Sequence, residues 1–140
     1  MKAQNIITVF LAILFFSCAN VGGVRFSNNL EKYALDYIQE NALLNEREKI
    51  IAYYDYTISL DGTEAVILTN SRLIYHNKET FDTAVSLDDI TDVQHRKESL
   101  IGDIIEVYAN DGSVLLIEIA PLNGGETFLK LLMGKCCLTL

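Results

Sequence analysis

Ile50–His76 reads IIAYYDYTISLDGTEAVILTNSRLIYH, and the spacing of its apolar residues decides the fold. Ile50, Ala52, Tyr54, Tyr56, Ile58 and Leu60 alternate with Ile51, Tyr53, Asp55, Thr57, Ser59 and Asp61. A period of two belongs to a strand with one face inward and one toward water. Asp61-Gly62 then supplies the backbone freedom of a tight hairpin. Glu64–Thr69 follows as a second strand, Asn70-Ser71 as a turn, and Arg72–His76 as a third strand.

Downstream the punctuation continues. Phe81–Leu87 forms a fourth strand with Phe81, Val85 and Leu87 on one face, and Asp88-Asp89 precede a fifth over Ile90–Lys97. Asp103–Ala109 and Val114–Ala120 are joined through Asn110-Asp111-Gly112, a second Asp-Gly turn. Pro121 closes the last strand because it has no ladder donor. Phe128, Leu131 and Leu132 then share one face of a final helix. Seven strands and a helix predict an antiparallel meander, its edges or barrel mouth plugged by that helix. Upstream, Leu30, Ala34, Tyr37, Ile38 and Leu44 make one apolar stripe of a helix over 30–45, capped by Ser27, Asn28 or Asn29. Tyr53 is expected to pack beneath this helix.

Two motifs carry a resemblance. Leu68-Thr69-Asn70-Ser71-Arg72-Leu73-Ile74-Tyr75 and Ser86-Leu87-Asp88-Asp89-Ile90-Thr91-Asp92-Val93 stand in order, after Leu44-Asn45-Glu46-Arg47-Glu48-Lys49-Ile50 and before Phe128. In this order they resemble bacterial pleckstrin-homology-like (PH-like) domains. The resemblance implies a mainly β fold, a seven-stranded antiparallel PH-like barrel capped by a C-terminal helix. It marks Leu68, Thr69, Arg72, Leu87, Ile90, Val93 and Phe128 as fold residues. Arg72 is expected to tie down carbonyls or a carboxylate.

The N-terminus sets the address. Lys2 precedes Ile6–Phe16 (IITVFLAILFF), a core of signal-peptide length, and Ser17-Cys18-Ala19 follows. This arrangement resembles the lipobox of bacterial lipoproteins, in which Cys18 would carry the lipid. Alternatively, Ile6–Val24, 19 residues without charge, is long enough to span a bilayer as an uncleaved anchor of uncertain sidedness. The chain thus divides into a signal or anchor segment (1–17), a linker (18–29), the amphipathic helix (30–45), the PH-like domain (46–135) and a tail (136–140). Adjacent Cys136 and Cys137 lack the spacing of a redox motif and read as small hydrophobes after a helix.

Charge and motifs narrow the function. Loss of residues 1–17 leaves ten Lys and Arg against 19 Asp and Glu, a net charge of −9. Such a surface repels nucleic-acid phosphates. The first hairpin, Ser59–Glu64, carries two acids and no base, which disfavours phosphoinositide. His95-Arg96-Lys97 is the strongest basic run, but alternation puts Arg96 opposite the other two. His76 and His95 have no metal-ligand spacing, and no nucleophile elbow or phosphate loop occurs. The expected function is a non-enzymatic, membrane-tethered binding or scaffolding module of the cell envelope, without cofactor and with a protein partner. The alternatives are a carrier or sensor of a small apolar ligand, and an enzyme using surface carboxylates.

Overall fold

The structure, a computed structural model, describes residues 22–136. The signal or anchor segment, Cys18 and Cys137 lie outside the described residues. Eight strands and two helices follow in order. They are β1 (Arg25–Phe26), α1 (Lys32–Glu40), β2 (Ile50–Asp55), β3 (Glu64–Thr69), β4 (Arg72–Asn77) and β5 (Thr83–Ser86). A 3₁₀ turn, Leu87–Asp89, leads to β6 (Ile90–Glu98), β7 (Gly102–Ala109), β8 (Val114–Ile119) and α2 (Gly125–Cys136).

The strands form two antiparallel sheets, β1-β2-β3-β4-β5 and β6-β7-β8, rather than the closed seven-stranded barrel expected. The added strand is β1, two residues paired to β2 through Arg25↔Tyr53 and Phe26↔Ala52. Short β5 and the 3₁₀ turn redirect the chain at the corner, with Leu87 buried there, so no ladder joins β5 to β6.

The inner faces of the sheets meet in the main core. Ala52, Tyr54, Val66, Leu68, Leu73 and Val85 face Ile105, Val107, Leu115, Ile117 and Ile119, and α2 inserts Phe128 and Leu132. Burial of side chains of this size contributes about 1.5–3 kcal/mol each. On the other side of the first sheet, Tyr53, Ala65, Ile67 and Ile74 pack against Ala34 and Ile38 of α1 and against Leu43. The first sheet is thus covered on both faces. That explains the unbroken apolar run of β3, and it places Tyr53 under α1.

Local chemistry shifted several boundaries. Helix α1 spans Lys32–Glu40 rather than 30–45, and its N-cap is Glu31 without a side-chain bond. Asn29 instead accepts a hydrogen bond from the Phe26 backbone N–H at 2.7 Å, closing the turn after β1. Ala42, at φ 49°, and the Leu43 N–H donating to the Ile38 carbonyl at 3.1 Å end the helix.

Strand β2 stops at Asp55 instead of reaching Leu60. The buried Asp55 carboxylate accepts the backbone N–H of Thr57 at 2.7 Å and of Gly62 at 2.9 Å, folding residues 56–63 into a loop. Gly62 sits at φ +79°, and a Cβ there would lie 2.9 Å from the Tyr37 ring. Phe81, expected in a strand, is 91 % exposed ahead of β5.

Candidate functional site

The residues of the two motifs fall into two groups. Leu68, Leu87 and Phe128 lie in the main core, and Ile90 and Val93 pack against its side. Thr69 and Arg72 instead gather around Glu48. Arg72 donates to Glu48 through Nε at 2.6 Å and Nη2 at 2.8 Å, and to the Leu43 carbonyl at 3.1 Å. Ser71 Oγ (2.9 Å) and the Asn45 N–H (2.7 Å) also donate to the Glu48 carboxylate. The Arg72 guanidinium holds the Glu48 carboxyl down at about 2, against the opposing push of burial. This cluster fastens the segment after α1 to the β3–β4 turn.

The basic run on β6 forms no anion site. His95 Nε2 lies 2.8 Å from Asp103 Oδ1, and Lys97 Nζ lies 2.9 Å from Glu126 Oε1 and 4.0 Å from Asp103. Arg96 bonds Glu98 and Glu106 on the opposite side. Each basic side chain of the run already faces a carboxylate. An open cleft of about 640 Å³ lies beside them, lined by Lys97, Glu98, Asp103, Pro121, Leu122 and Glu126 among others. The buried Asp103 carboxylate stands against Gly125 at the start of α2, where an anion would otherwise sit.

The surface with most open backbone is β6 itself. Eight of its nine residues pair with β7, from Ile90↔Ala109 to Glu98↔Gly102 with an irregularity at Thr91, and β6 has no second ladder partner among the described residues. All of β6 except Ile90 and Val93 is exposed. The outward face of the same sheet carries rows set by register. Asp92, Tyr108 and Val114 make one row, and Gln94, Glu106 and Leu116 the next. Val114 and Leu116 are about half exposed, and the Tyr108 hydroxyl donates to Glu106 at 2.7 Å. A polymer segment could extend the edge through its main chain and rest side chains on this mixed face.

The bacterial PH domain family model matches residues 44–121. The chain belongs to this family. A crystal structure of a DUF1696 family protein with a pleckstrin-homology domain, from Shewanella loihica, is similar in fold. It has a TM-score of 0.57 and 13 % identity, over 77 % of this chain and 99 % of that one. No curated protein matches the sequence.

In this bacterial PH domain the motif residues serve the frame, and the second motif runs into the exposed edge, where Ile90 and Val93 are the two β6 residues that pack against the core. Two polar centres escaped the sequence reading. Glu48 stood in the approach to the first strand, but nothing in its spacing announced that Arg72, 24 positions on, would reach it. Buried His76 bridges the Tyr37 hydroxyl (3.0 Å) and Asp82 (2.7 Å), tying α1 to β4 and the β4–β5 turn. Among the described residues no three His, Cys, Asp or Glu side chains gather to hold a metal.

Proposed function

We propose that this bacterial PH domain is a non-enzymatic binding or scaffolding module, held at a membrane of the cell envelope by its N-terminal segment, that takes a protein segment along β6. The observation that carries this reading is the nine-residue β6 edge, exposed and paired on one side only. Its main-chain donors and acceptors supply affinity, and the Tyr108, Val114 and Leu116 face supplies selectivity. Membership in a PH-domain family fits a binding role, though a fold does not by itself assign one.

The tether is either a lipid on Cys18 or a span shorter than Ile6–Val24, because Val24 is buried in the main core with its N–H on the Asn123 carbonyl. Among the described residues no helix is long and apolar enough to cross a membrane, so either tether draws on the segment before residue 22. The acidic surface argues against nucleic acid. Phosphoinositide is disfavoured by the first hairpin, where Asp61 accepts bonds from Ser59 Oγ and from the Thr63 N–H and Oγ1 that favour its ionised form. The carrier reading gains no support from the cleft beside β6, which is open and lined by Lys97, Glu98, Asp103 and Glu126 among others.

A photo-crosslinking residue replacing Gln94, in full-length protein expressed in its native membrane, tests the edge. One reproducible protein adduct at position 94, absent when the probe replaces Lys78 on the far turn, supports the reading. Equal labelling at both positions, or none at 94, overturns it.

A further inference from the structure

Three bulky aliphatic side chains stand almost wholly in solvent: Ile58 at 102 %, Leu100 at 94 % and Leu122 at 103 % exposure. They lie in separate loops, β2–β3, β6–β7 and β8–α2. The fold brings these loops to one corner. Ile58 borders a hollow shared with Gly22, Ala120 and Asn123, while Leu122 borders the neighbouring cleft with Ser99 and Gly102, which flank Leu100. The Ala120–Gly124 turn separates the two hollows.

The chain also arrives here from its apolar N-terminal segment. The Val24 N–H donates to the Asn123 carbonyl at 2.8 Å, and Gly22 stands in the Ile58 hollow. Three residues separate Cys18 from Gly22, four steps along the chain, so even a fully extended chain keeps this corner within about 14 Å of a lipid on Cys18. A tether ahead of Gly22 would therefore hold this corner, with its three apolar tips, close to the bilayer.

We propose that Ile58, Leu100 and Leu122 form a foot that enters the lipid interface and fixes how the tethered domain stands on the membrane. The inference rests on the tethering proposed above. The charged residues lining the two hollows are Lys97, Glu98, Asp103 and Glu126 in one and Asp55 in the other, an acidic surplus, so the contact is apolar rather than electrostatic. With the foot in lipid, β6 and its outward face are presented at a set height and orientation to a partner.

The chain contains no tryptophan, so Leu122→Trp places one reporter on the foot and Leu116→Trp one on the outward sheet face. Each full-length variant is reconstituted into phosphatidylcholine vesicles with and without brominated acyl chains. The L122W emission should fall about twofold with brominated lipid, as expected 5–10 Å into the interface, while L116W is unchanged. Anionic lipid or added salt should alter neither result. Flotation with the vesicles but no quenching of L122W overturns the foot and leaves the tether standing. Protection of L122W from acrylamide without lipid quenching means that protein, or the chain's own apolar segment, covers the corner, and also overturns it. Failure to float overturns the tether and the foot together.

Discussion

Replacing Glu48 by Gln should expose how the frame is fastened. The substitution keeps the side-chain shape and removes the charge that receives both Arg72 nitrogens at 2.6 and 2.8 Å. Glu48 is 5 % exposed at its side chain and Arg72 is 28 %, so solvent screens the pair little. In the folded protein the Glu48 carboxyl is drawn from 4.5 to about 2. At about 1.4 kcal/mol per unit, the ionised form contributes on the order of 3 kcal/mol.

The folded value lies below the unfolded one, so this stability is complete above about pH 4.5. It drains away as pH falls toward 2. At neutral pH, Glu48→Gln should therefore cost about 2–3 kcal/mol, or roughly 10 °C in melting temperature for a domain of this size. Urea unfolding of wild type and variant at pH 7, 5 and 3 reads the difference directly, because all other titrating groups cancel. The gap should be full at pH 7 and 5 and shrink to about a third of its value at pH 3. A gap below about 0.5 kcal/mol at pH 7, or one that stays constant down to pH 3, refutes the role given to this ion pair.

Three further outcomes follow from the packing. Phe128→Ala empties a fully buried site between the sheets and should cost about 3–5 kcal/mol in denaturant unfolding. Gly102→Ala puts a Cβ 2.1 Å from the Ile119 carbonyl oxygen at φ +102°; a loss of at least about 3 kcal/mol, or failure to fold, should show by circular dichroism. Burial and Asp55 raise the Tyr53 phenol, and burial raises Tyr56, so ultraviolet titration should show these two still protonated at pH 11, where a free tyrosine has ionised. Because these folded values are raised, the stability they lend is present below about pH 10 and is lost on going further alkaline.

Much of the frame could be read from residue order. Period two over Ile50–Tyr56, EAVILT, and the Asn70-Ser71 and Asp111-Gly112 turns marked strands and turns, since side-chain alternation and backbone freedom are local properties. The end of β2 could not be read in the same way. Thr57–Leu60 continues the alternation, but the Asp55 carboxylate binds backbone N–H groups of the following loop and ends the strand. The amphipathic stripe beginning at Leu30 predicted a helix, yet its start depended on Asn29 serving Phe26 instead of the helix.

Closure is a long-range property. Whether β5 would pair with β6 depended on the corner at Leu87–Asp89, and two sheets resulted. The sequence by itself determined the antiparallel order, the apolar faces, the acidic charge and the apolar segment ahead of the domain, because each is a matter of composition or short spacing. Only the tertiary structure decided that Glu48 receives Arg72, that His76 joins Tyr37 to Asp82, and that His95, Arg96 and Lys97 each meet a carboxylate. It alone gathered Ile58, Leu100 and Leu122 beside the arriving chain. Contacts between residues tens of positions apart depend on how sheets cross and loops turn, and no local periodicity encodes that geometry.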